Sequence, residues 1–463
     1  MTATAPRGAP TAPLPPAAIT HGERRRGWFP VPTPRLAAVA AAASVLVGLF
    51  PGSSATGLLV VNGLLLVAAA LDWWVAVRPG AVVIERDLPP SVTLGHEVRL
   101  GWRVANPGTR PLRVAFADDL APSLHAQRRR VRLVVPPRGR AGTGTTLRPA
   151  RRGRFDLDEV VVRVEGPLGL AARQERRSLP AGLRVYPPFR SKDEAELRIN
   201  RARILEVGLR SAQGRGGGTE FDAMREWGPD DEFRRIDWSA TARIGKPIVR
   251  TYRAERNQTV ILLLDNGRVM AGRVDGVPRI EHAMDAVMML TAVATRLGDR
   301  AGLVAFDRDV RAVVPPGHSR GQLGRVTEAM YELEPQLVES DYQGAFVETL
   351  SRFRRRALLV IFTELAEQAV AETLLPALPL IVRSHLVVLA SVRDPAVVAM
   401  ADAEPEAPGD AYAKAAAVAA LEERRRLIAR LRGMGATVVD ELPGRLAPAL
   451  ADAYLKVKAT GRL

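Results

Sequence analysis

Charged side chains of both signs crowd one stretch of this sequence, GGGTEFDAMREWGPDDEFRRIDWSATARIGKPIVRTYRAE, which spans residues 216–255. Its acids Asp230, Asp231 and Asp237 lie among the cations Arg225, Arg234, Arg235 and Arg243. Paired carboxylates can act as general acid and base, which requires one of them to hold a proton near neutral pH. Arginine stays protonated and favours the ionised carboxylate, so these neighbours oppose such chemistry. The residue types favour an ion-pair network that fixes the segment against a sheet and can carry a docking surface.

Other signatures of catalysis are missing from the sequence. The chain has no cysteine, which excludes disulfides, thiolate zinc ligands and cysteine nucleophiles. No phosphate-binding Gly-x-x-x-x-Gly-Lys-Ser/Thr motif occurs, so the glycines at 216–218 are better explained as a flexible connecting segment. The histidines show neither metal-ligand spacing nor a neighbouring nucleophile; they are His21, His96, His125, His282, His318 and His385. We therefore predict no enzymatic activity and no obligatory cofactor.

Apolar strands and amphipathic helices alternate after residue 259. The strand-like runs are residues 260–264, 301–306, 357–362, 385–389 and 436–439. Continuous apolar strands of this kind predict an α/β domain with a doubly wound, mostly parallel sheet that is covered on both faces. Ligands of such sheets gather at the carboxyl ends of the strands, where Asp265, Asp307 and Thr363-Glu364 fall.

The chain upstream predicts a membrane anchor followed by a β-sandwich. Residues 36–50 and 58–71 are apolar or small, and Asp72 is the only ionisable residue between Leu36 and Val77. Because a spanning helix needs about 20 residues, we predict a two-helix transmembrane hairpin; a cleaved signal peptide and a buried soluble hairpin are the alternatives. Arginines flank the hairpin, Arg78 and Arg86 among them, and its turn carries none, which places both ends in the cytoplasm.

The predicted domain organisation follows from these patterns. It comprises a disordered Pro/Ala-rich tail (1–34), the hairpin (35–78), a β-sandwich with period-two alternation (81–189), the charged segment (190–259) and the α/β domain (260–463). The net charge of +16 comes mostly from arginine, and runs such as 424–426 are typical of solvated faces or of contacts with anionic lipid. Aromatic residues are only 5% of the chain, which argues against specific nucleic-acid binding.

The charged stretch resembles the bacterial DUF58 family, named for a domain of unknown function. The family pattern is matched at Gly217-Gly218, Glu220-Phe221, Arg225, Trp227, Asp230-Asp231, Arg235-Ile236-Asp237-Trp238, Ala242-Arg243, Tyr252 and Glu255. The resemblance also implies that Arg152-Gly153-Arg154-Phe155 together with Gly166-Pro167-Leu168-Gly169-Leu170 marks the exit from the sandwich. It names a family without naming a reaction, and it gives these residues a structural or partner-binding role.

The α/β domain resembles the von Willebrand factor A type domain, which holds a divalent cation. That fold uses an Asp-x-Ser-x-Ser turn after the first strand, a threonine from a later loop and an acid after the fourth strand, because hard cations prefer several oxygen ligands. Here the turn reads Asp265-Asn266-Gly267-Arg268-Val269, which lacks both hydroxyls. Glu364 stands at the later acid, and Ser340-Asp341 lies where the threonine is sought. The resemblance thus implies a degenerate metal site at Asp265 and Glu364, with Mg²⁺ as the candidate ion. The lost hydroxyls and the cation of Arg268 favour instead a capping role for Asp265 or its pairing with an arginine.

The sequence as a whole predicts a multi-pass cell-membrane protein whose bulk is cytoplasmic and which acts as a scaffold or adaptor. The resemblance implies partnership with a MoxR-type AAA+ ATPase in the assembly or maturation of other proteins. Membrane lipid and client proteins would be the other partners. The alternative is a hydrolase or transglutaminase-linked processing enzyme that uses the Asp237-Trp238 region.

Overall fold

A computed structural model describes residues 25–26, 30–48, 54–212, 220–229, 231, 233–253, 258–366 and 370–460. Most of the predicted tail, Gly216–Gly218, Asp230 and Glu255 lie outside the described residues. The chain divides into two compact units, Met1–Arg184 and Val185–Leu463.

The first unit contains ten strands in two sheets. They are β1 (Arg25–Arg26), β2 (Val31–Pro32), β3 (Val83–Asp87), β4 (Ser91–Thr93), β5 (Val98–Ala105), β6 (Leu112–Asp118), β7 (Arg130–Val135), β8 (Arg140–Leu147), β9 (Gly153–Glu165) and β10 (Ala171–Tyr186). One sheet has the order β1-β10-β9-β6-β7, with β2 and β4 also paired to β10, and the other has the order β3-β5-β8. The predicted exit at residues 166–170 is wrong, because these residues form the turn between β9 and β10 and the sheet continues to Tyr186.

The two sheets face each other across an apolar core. Buried residues alternate along β5 and β6, as period two requires, and the rings of Trp102 and Phe116 meet edge to face with centroids 5.3 Å apart. Asp118 accepts hydrogen bonds from Trp102 Nε1 at 2.7 Å and from Arg86 Nη2 at 2.5 Å. Arg86 was counted among the charges that flank the hairpin, and its ion pair with Asp118 buries it inside the sandwich.

Two apolar helices precede the sandwich strands β3–β10. Helix α1 (Pro34–Gly48) has 15 residues and α2 (Ser54–Val75) has 22. In the described part of the chain, one helical stretch is long and apolar enough to cross a membrane, the 27 residues Ala55–Ala81. Since a span needs about 20 residues, α1 falls short, and a second crossing stays a prediction.

The second unit contains the remaining strands and helices. The strands are β11 (Glu220–Glu226), β12 (Ile248–Arg253), β13 (Thr259–Asp265), β14 (Arg273–Val274), β15 (Val277–Pro278), β16 (Arg300–Phe306), β17 (Val310–Gly317), β18 (Leu358–Phe362), β19 (Leu386–Val392) and β20 (Thr437–Glu441). The helices are α3 (Lys192–Ala212), α4 (Trp238–Ile244), α5 (Arg268–Ala271), α6 (Arg279–Arg296), α7 (Gln322–Met330), α8 (Tyr342–Arg352), α9 (Leu375–Ala377), α10 (Pro379–Val382), α11 (Pro395–Asp402), α12 (Pro408–Gly433) and α13 (Leu446–Ala459).

The main sheet of this unit has six strands in the order β17-β16-β13-β18-β19-β20. All pairs are parallel except β16–β17, which confirms the predicted mostly parallel α/β sheet. Strands β13, β16 and β18 are buried almost throughout, so helices cover both faces, with α6 and α13 in one core and α8 and α12 in the other. The strand order reverses between β13 and β18, which is where ligands bind in doubly wound sheets.

Candidate functional site

Asp265 ends β13 at this reversal point and is fully buried. Its Oδ1 accepts hydrogen bonds from Gly267 N at 2.8 Å and Ser340 Oγ at 2.5 Å. Its Oδ2 accepts from Tyr342 Oη at 2.7 Å and Thr363 Oγ1 at 2.6 Å. Four donors therefore enclose the carboxyl group, and three of them are hydroxyls from distant parts of the sequence: Ser340 and Tyr342 around the start of α8, and Thr363 after β18.

Burial controls the protonation of this cluster. Desolvation raises the pKa of Asp265 above its usual value even though all four hydrogen bonds favour the ionised form. Burial, followed by the charge of Asp265, raises the pKa of Tyr342 well above its usual value, so this hydroxyl stays protonated and donates. The arrangement suits a structural clamp that joins three loops at the sheet edge.

Glu364, which follows β18, is held by arginine. Arg424 Nη1 donates to its Oε1 at 2.6 Å, and Arg279 Nε lies 3.0 Å from its Oε2. Arg424 also pairs with Asp440 at 2.7 Å. A cleft of ≈ 220 Å³ opens beside this cluster. Arg424 belongs to a run predicted to form a solvated face, but it lies largely inside the protein while Arg425 is exposed.

The residues predicted to bind a divalent cation do not fit one in this arrangement. Both Asp265 oxygens serve hydroxyl and amide donors, and two guanidinium groups surround Glu364. Arg268, at the position of a lost hydroxyl, pairs with Glu339 at 3.0 Å. Among the described residues, no group of three or more His, Asp or Glu side chains is placed to hold a metal. The local charge thus opposes a cation.

Asp307, the third acid predicted at the strand ends, is also engaged. Arg311 Nε donates to its Oδ2 at 2.7 Å, and its backbone carbonyl accepts from Asp341 N at 2.9 Å. Asp265, Asp307 and Glu364 thus each have partners of their own, and none is left as a bare carboxylate at the sheet edge.

The charged stretch folds into a small module made of the β11–β12 hairpin and helix α4. Asp237 precedes α4 and caps it, because its Oδ1 accepts from Ser239 N at 3.0 Å and Ala240 N at 3.1 Å. Arg250 Nε of β12 donates to its Oδ2 at 2.6 Å. The backbone bond to Ala240, then Arg250, lowers the pKa of Asp237 below its usual value. The conspicuous Asp-Trp pair is thus a helix start tied to the hairpin.

Two other acids of the module, Asp231 and Glu226, are also paired inside it. Arg225 Nη1 donates to Asp231 Oδ2 at 2.6 Å, and the same oxygen accepts from Gly228 N at 2.9 Å. Lys246 Nζ lies 2.8 Å from Glu226 Oε1. Of the predicted ion-pair network, the described side chains show the Arg225–Asp231 pair, whereas Asp237 pairs with Arg250 and Glu226 with Lys246. These pairs join residues within the module, so its attachment to the main sheet stays a prediction.

Apolar side chains face outward from the same module. Trp238 is 64% exposed and Phe233 is 69% exposed, although both are large aromatic residues. Met224 and Ile244 are exposed as well. The ring of Trp227 packs edge to face on Phe233 with centroids 5.7 Å apart, which limits the freedom of that ring. The module thus combines ion pairs among its charged residues with a small buried apolar centre, which includes Ile248 and Val249, and with large apolar groups on its surface.

The other predicted site residues of the module are Arg243, whose side chain bonds to the backbone, and three residues whose side chains are not described. Arg243 is exposed and donates from Nε to Ser239 O at 3.2 Å. Glu220, Arg235 and Tyr252 lie within described backbone, and the placement of their side chains is outside what the structure describes.

Tyr342, Arg279, Arg424 and Asp440 are the site residues that the sequence did not indicate. Each comes from a helix or strand distant from its partner, and Tyr342 lies 77 residues beyond Asp265. No local motif marks them. The only indication in the sequence was that Asp265 and Glu364 lie at the ends of apolar strands. Side chains that contact such strand ends come from other parts of the fold.

We expect Asp237→Ala to open the module locally. Loss of a helix N-cap removes the acceptor for two backbone N–H groups, which typically favours opening by about five- to tenfold. Limited proteolysis of the full-length protein should show cleavage within residues 220–253 accelerated by about that factor. Ser239→Ala, which leaves the cap in place, is the control. Equal proteolysis of both variants would mean that Asp237 does not hold the module together.

The fold and the site define a mixed α/β protein with a β-sandwich and one candidate membrane helix. Residues 223–412 match the family model described as "Protein of unknown function DUF58", which supports the DUF58 family for the region from β11 to the start of α12. No curated protein matches the chain.

The chain was also matched to solved structures, among them the CARDB domain of a Pyrococcus furiosus protein, which was determined in solution by NMR and, in complex with di-metal ions, by crystallography. Sequence identities are 12% and 10%, with 21% and 22% of this chain covered and 93% and 91% of theirs. The TM-scores of 0.15 and 0.16 are too low to support any argument about this chain.

Proposed function

We propose that this protein is a membrane-anchored adaptor that binds protein partners through the charged module and has no catalysis of its own. The observation that carries the proposal is the exposure of Trp238 and Phe233 on a module in which Asp231 and Asp237 pair with arginines of the same module. Buried aromatic anchors contribute most of the binding energy at protein interfaces. The ion pairs hold the segments that carry these side chains, which reduces the entropy lost on binding.

Acid–base catalysis at Asp237 is disfavoured by its surroundings. A general acid needs a pKa near the working pH, whereas the bonds to Ala240 and Arg250 lower the pKa of Asp237. Its oxygens already accept from two backbone N–H groups and a guanidinium. These contacts support a structural role and argue against the processing-enzyme alternative.

The strand order supports a von Willebrand factor A-like interpretation of the α/β sheet, with one antiparallel edge strand beside five parallel strands. The family resemblance then implies a MoxR-type AAA+ ATPase as partner, which would supply the energy for assembly or maturation of client proteins. Helix α2 would anchor the chain in the membrane, and α1 would complete a hairpin with both ends in the cytoplasm.

We expect Trp238→Ala and Phe233→Ala together to weaken capture of a purified MoxR-type ATPase by at least about tenfold, because truncated aromatic anchors have effects of that size. Binding is measured on the detergent-solubilised full-length protein with ATP and Mg²⁺. Thermal unfolding should stay unchanged, since both side chains are mostly exposed.

Leu337→Ala is the matched control, because this leucine is 83% exposed and lies outside the module. Equal weakening by Leu337→Ala would show that general surface hydrophobicity drives capture. Unchanged capture by the Trp238/Phe233 variant would remove the module from the interface. No capture by the wild-type protein would overturn the proposed partner.

A further inference from the structure

Two arginines converge on the turn between β9 and β10. Arg35 is the second residue of α1, and Arg113 lies on β6. A β-carbon placed on Gly169 of the turn would lie 3.0 Å from Arg113 Nη1 and 3.1 Å from Arg35 Nη1. Both guanidinium groups therefore flank one point, at a position where the backbone conformation (φ +72°) favours glycine.

Neither arginine has an acidic partner within the described parts of the chain. Arg113 Nη1 is shielded from solvent and makes no hydrogen bond there. Two like charges this close repel each other, and a buried N–H group without an acceptor is unfavourable. An anion between the two groups would relieve both effects.

The nearby acids are engaged elsewhere. Asp72 accepts from three backbone N–H groups of the turn, and Glu165 at the end of β9 lies 3.5 Å from Arg132. Burial, followed by repulsion from Arg78, lowers the pKa of Arg173 on β10. This part of the first unit therefore has an excess of positive charge.

Contacts of neighbouring residues place the arginine pair beside the ends of the apolar helices. Thr33 N, just before α1, donates to Leu170 O at 3.1 Å, and Arg173 stacks over Trp73 of α2 at 5.0 Å. Trp73 and Trp74 close the apolar part of the candidate span, where an interfacial aromatic belt falls. Arg35 and Arg113 thus lie at the depth of the lipid headgroups if α2 crosses the bilayer.

We propose that Arg35 and Arg113 bind the phosphate of an anionic phospholipid headgroup. The planar guanidinium group donates paired hydrogen bonds to phosphate oxygens, so two of them can hold one headgroup between them. The site rests on the membrane anchoring by α2 in the proposed function. Bound lipid would fill the turn region and fix the start of α1 against the sandwich.

The test uses full-length protein in neutral detergent, titrated with fluorescent phosphatidylglycerol in mixed micelles. Arg35→Gln combined with Arg113→Gln should weaken binding by about twenty-five-fold, since each arginine near an anionic lipid contributes a factor of about five. Arg128→Gln with Arg129→Gln removes the same charge from exposed positions of the same unit and should leave binding within about twofold. Equal losses in both pairs would overturn the proposal in favour of general charge attraction.

Two further measurements distinguish a lipid headgroup from free phosphate, and failure of this proposal from failure of the proposed membrane anchoring. Phosphatidylcholine should bind more weakly than phosphatidylglycerol, and millimolar inorganic phosphate should not displace the lipid; displacement would make this a free-phosphate site and overturn the lipid assignment. Flotation with neutral vesicles reports membrane anchoring independently of the headgroup. If the double variant does not fold, Arg35→Gln alone, at an exposed position, should weaken binding by about fivefold, and unchanged binding would overturn the proposal.

Discussion

Replacing Asp265 with alanine is expected to lower the free energy of unfolding by about 3 kcal/mol or more. The carboxyl group is fully buried and accepts from Gly267 N and the hydroxyls of Ser340, Tyr342 and Thr363. Alanine removes the acceptor of all four donors, after which only the Tyr342 and Thr363 hydroxyls can still bond to each other, and it leaves a void at the reversal point of the sheet. The measurement is urea denaturation of the full-length protein in detergent, followed by tryptophan fluorescence and circular dichroism.

Asp265→Asn is the matched variant and should have a much smaller effect. Asparagine keeps the shape and an acceptor oxygen but carries no charge. Because burial raises the folded-state pKa of Asp265, its contribution to stability is present below the unfolded pKa and is lost as pH rises towards the folded value. At neutral pH the asparagine variant avoids that loss. Equal destabilisation by Ala and Asn would show that the ionised carboxylate itself is required.

Burial also changes what the alanine variant can reveal about partners. The sequence alone predicts an Asp265 variant that keeps its fold and captures partners less well. Since the side chain has no exposed surface, any loss of capture would follow from loosened loops around Ser340 and Thr363. Capture by Asp265→Ala therefore has to be compared at matched folded fractions.

Replacing Asp72 with alanine is expected to detach the β9–β10 turn from helix α2. Asp72 is buried, and its carboxylate accepts from Leu168 N at 2.8 Å, Leu170 N at 2.7 Å and Ala171 N at 3.0 Å. Bonds from N–H groups to a charged acceptor are strong, so losing three should destabilise the first unit by about 3 kcal/mol or more. Hydrogen exchange at residues 166–171 in the detergent-solubilised protein measures the effect directly.

Gly166→Ala tests the same contact from the other side. An added β-carbon at Gly166 would collide with the Asp72 carboxylate and its backbone, so this variant should accelerate exchange in the same residues. Gly63→Ala in α2 has open space around it and serves as the control. Protected exchange in the Asp72→Ala variant would mean that the turn is held by other contacts, such as that of Thr33 with Leu170.

Asp72 shows how much the sequence predicted about the membrane end of the chain. As the single ionisable residue in a long apolar run, it stood out, but its partners lie about a hundred residues away and are backbone groups. Backbone N–H groups look alike in every sequence, so no pattern could have identified them. The two-helix hairpin, the cytoplasmic orientation and the partner ATPase stay predictions.

Period and composition by themselves determined the mixed α/β architecture, because apolar strands and amphipathic helices are local consequences of residue order. The sequence also pointed to the DUF58 family through the spacing of residues 217–255, and the match over residues 223–412 supports it. It placed acids at strand ends correctly, as Asp265 and Glu364 show. These features depend on residues close together in the chain.

Only the tertiary structure decided what those acids do. Asp265 is enclosed by hydroxyls, Glu364 by arginines, and Asp237 is a helix cap, although all three are equally acidic in the sequence. The difference lies in which distant groups the fold brings within hydrogen-bonding distance. Desolvation and pairing depend on the neighbours of a side chain in three dimensions. The surroundings of each carboxylate therefore decide whether it joins loops, forms ion pairs or caps a helix.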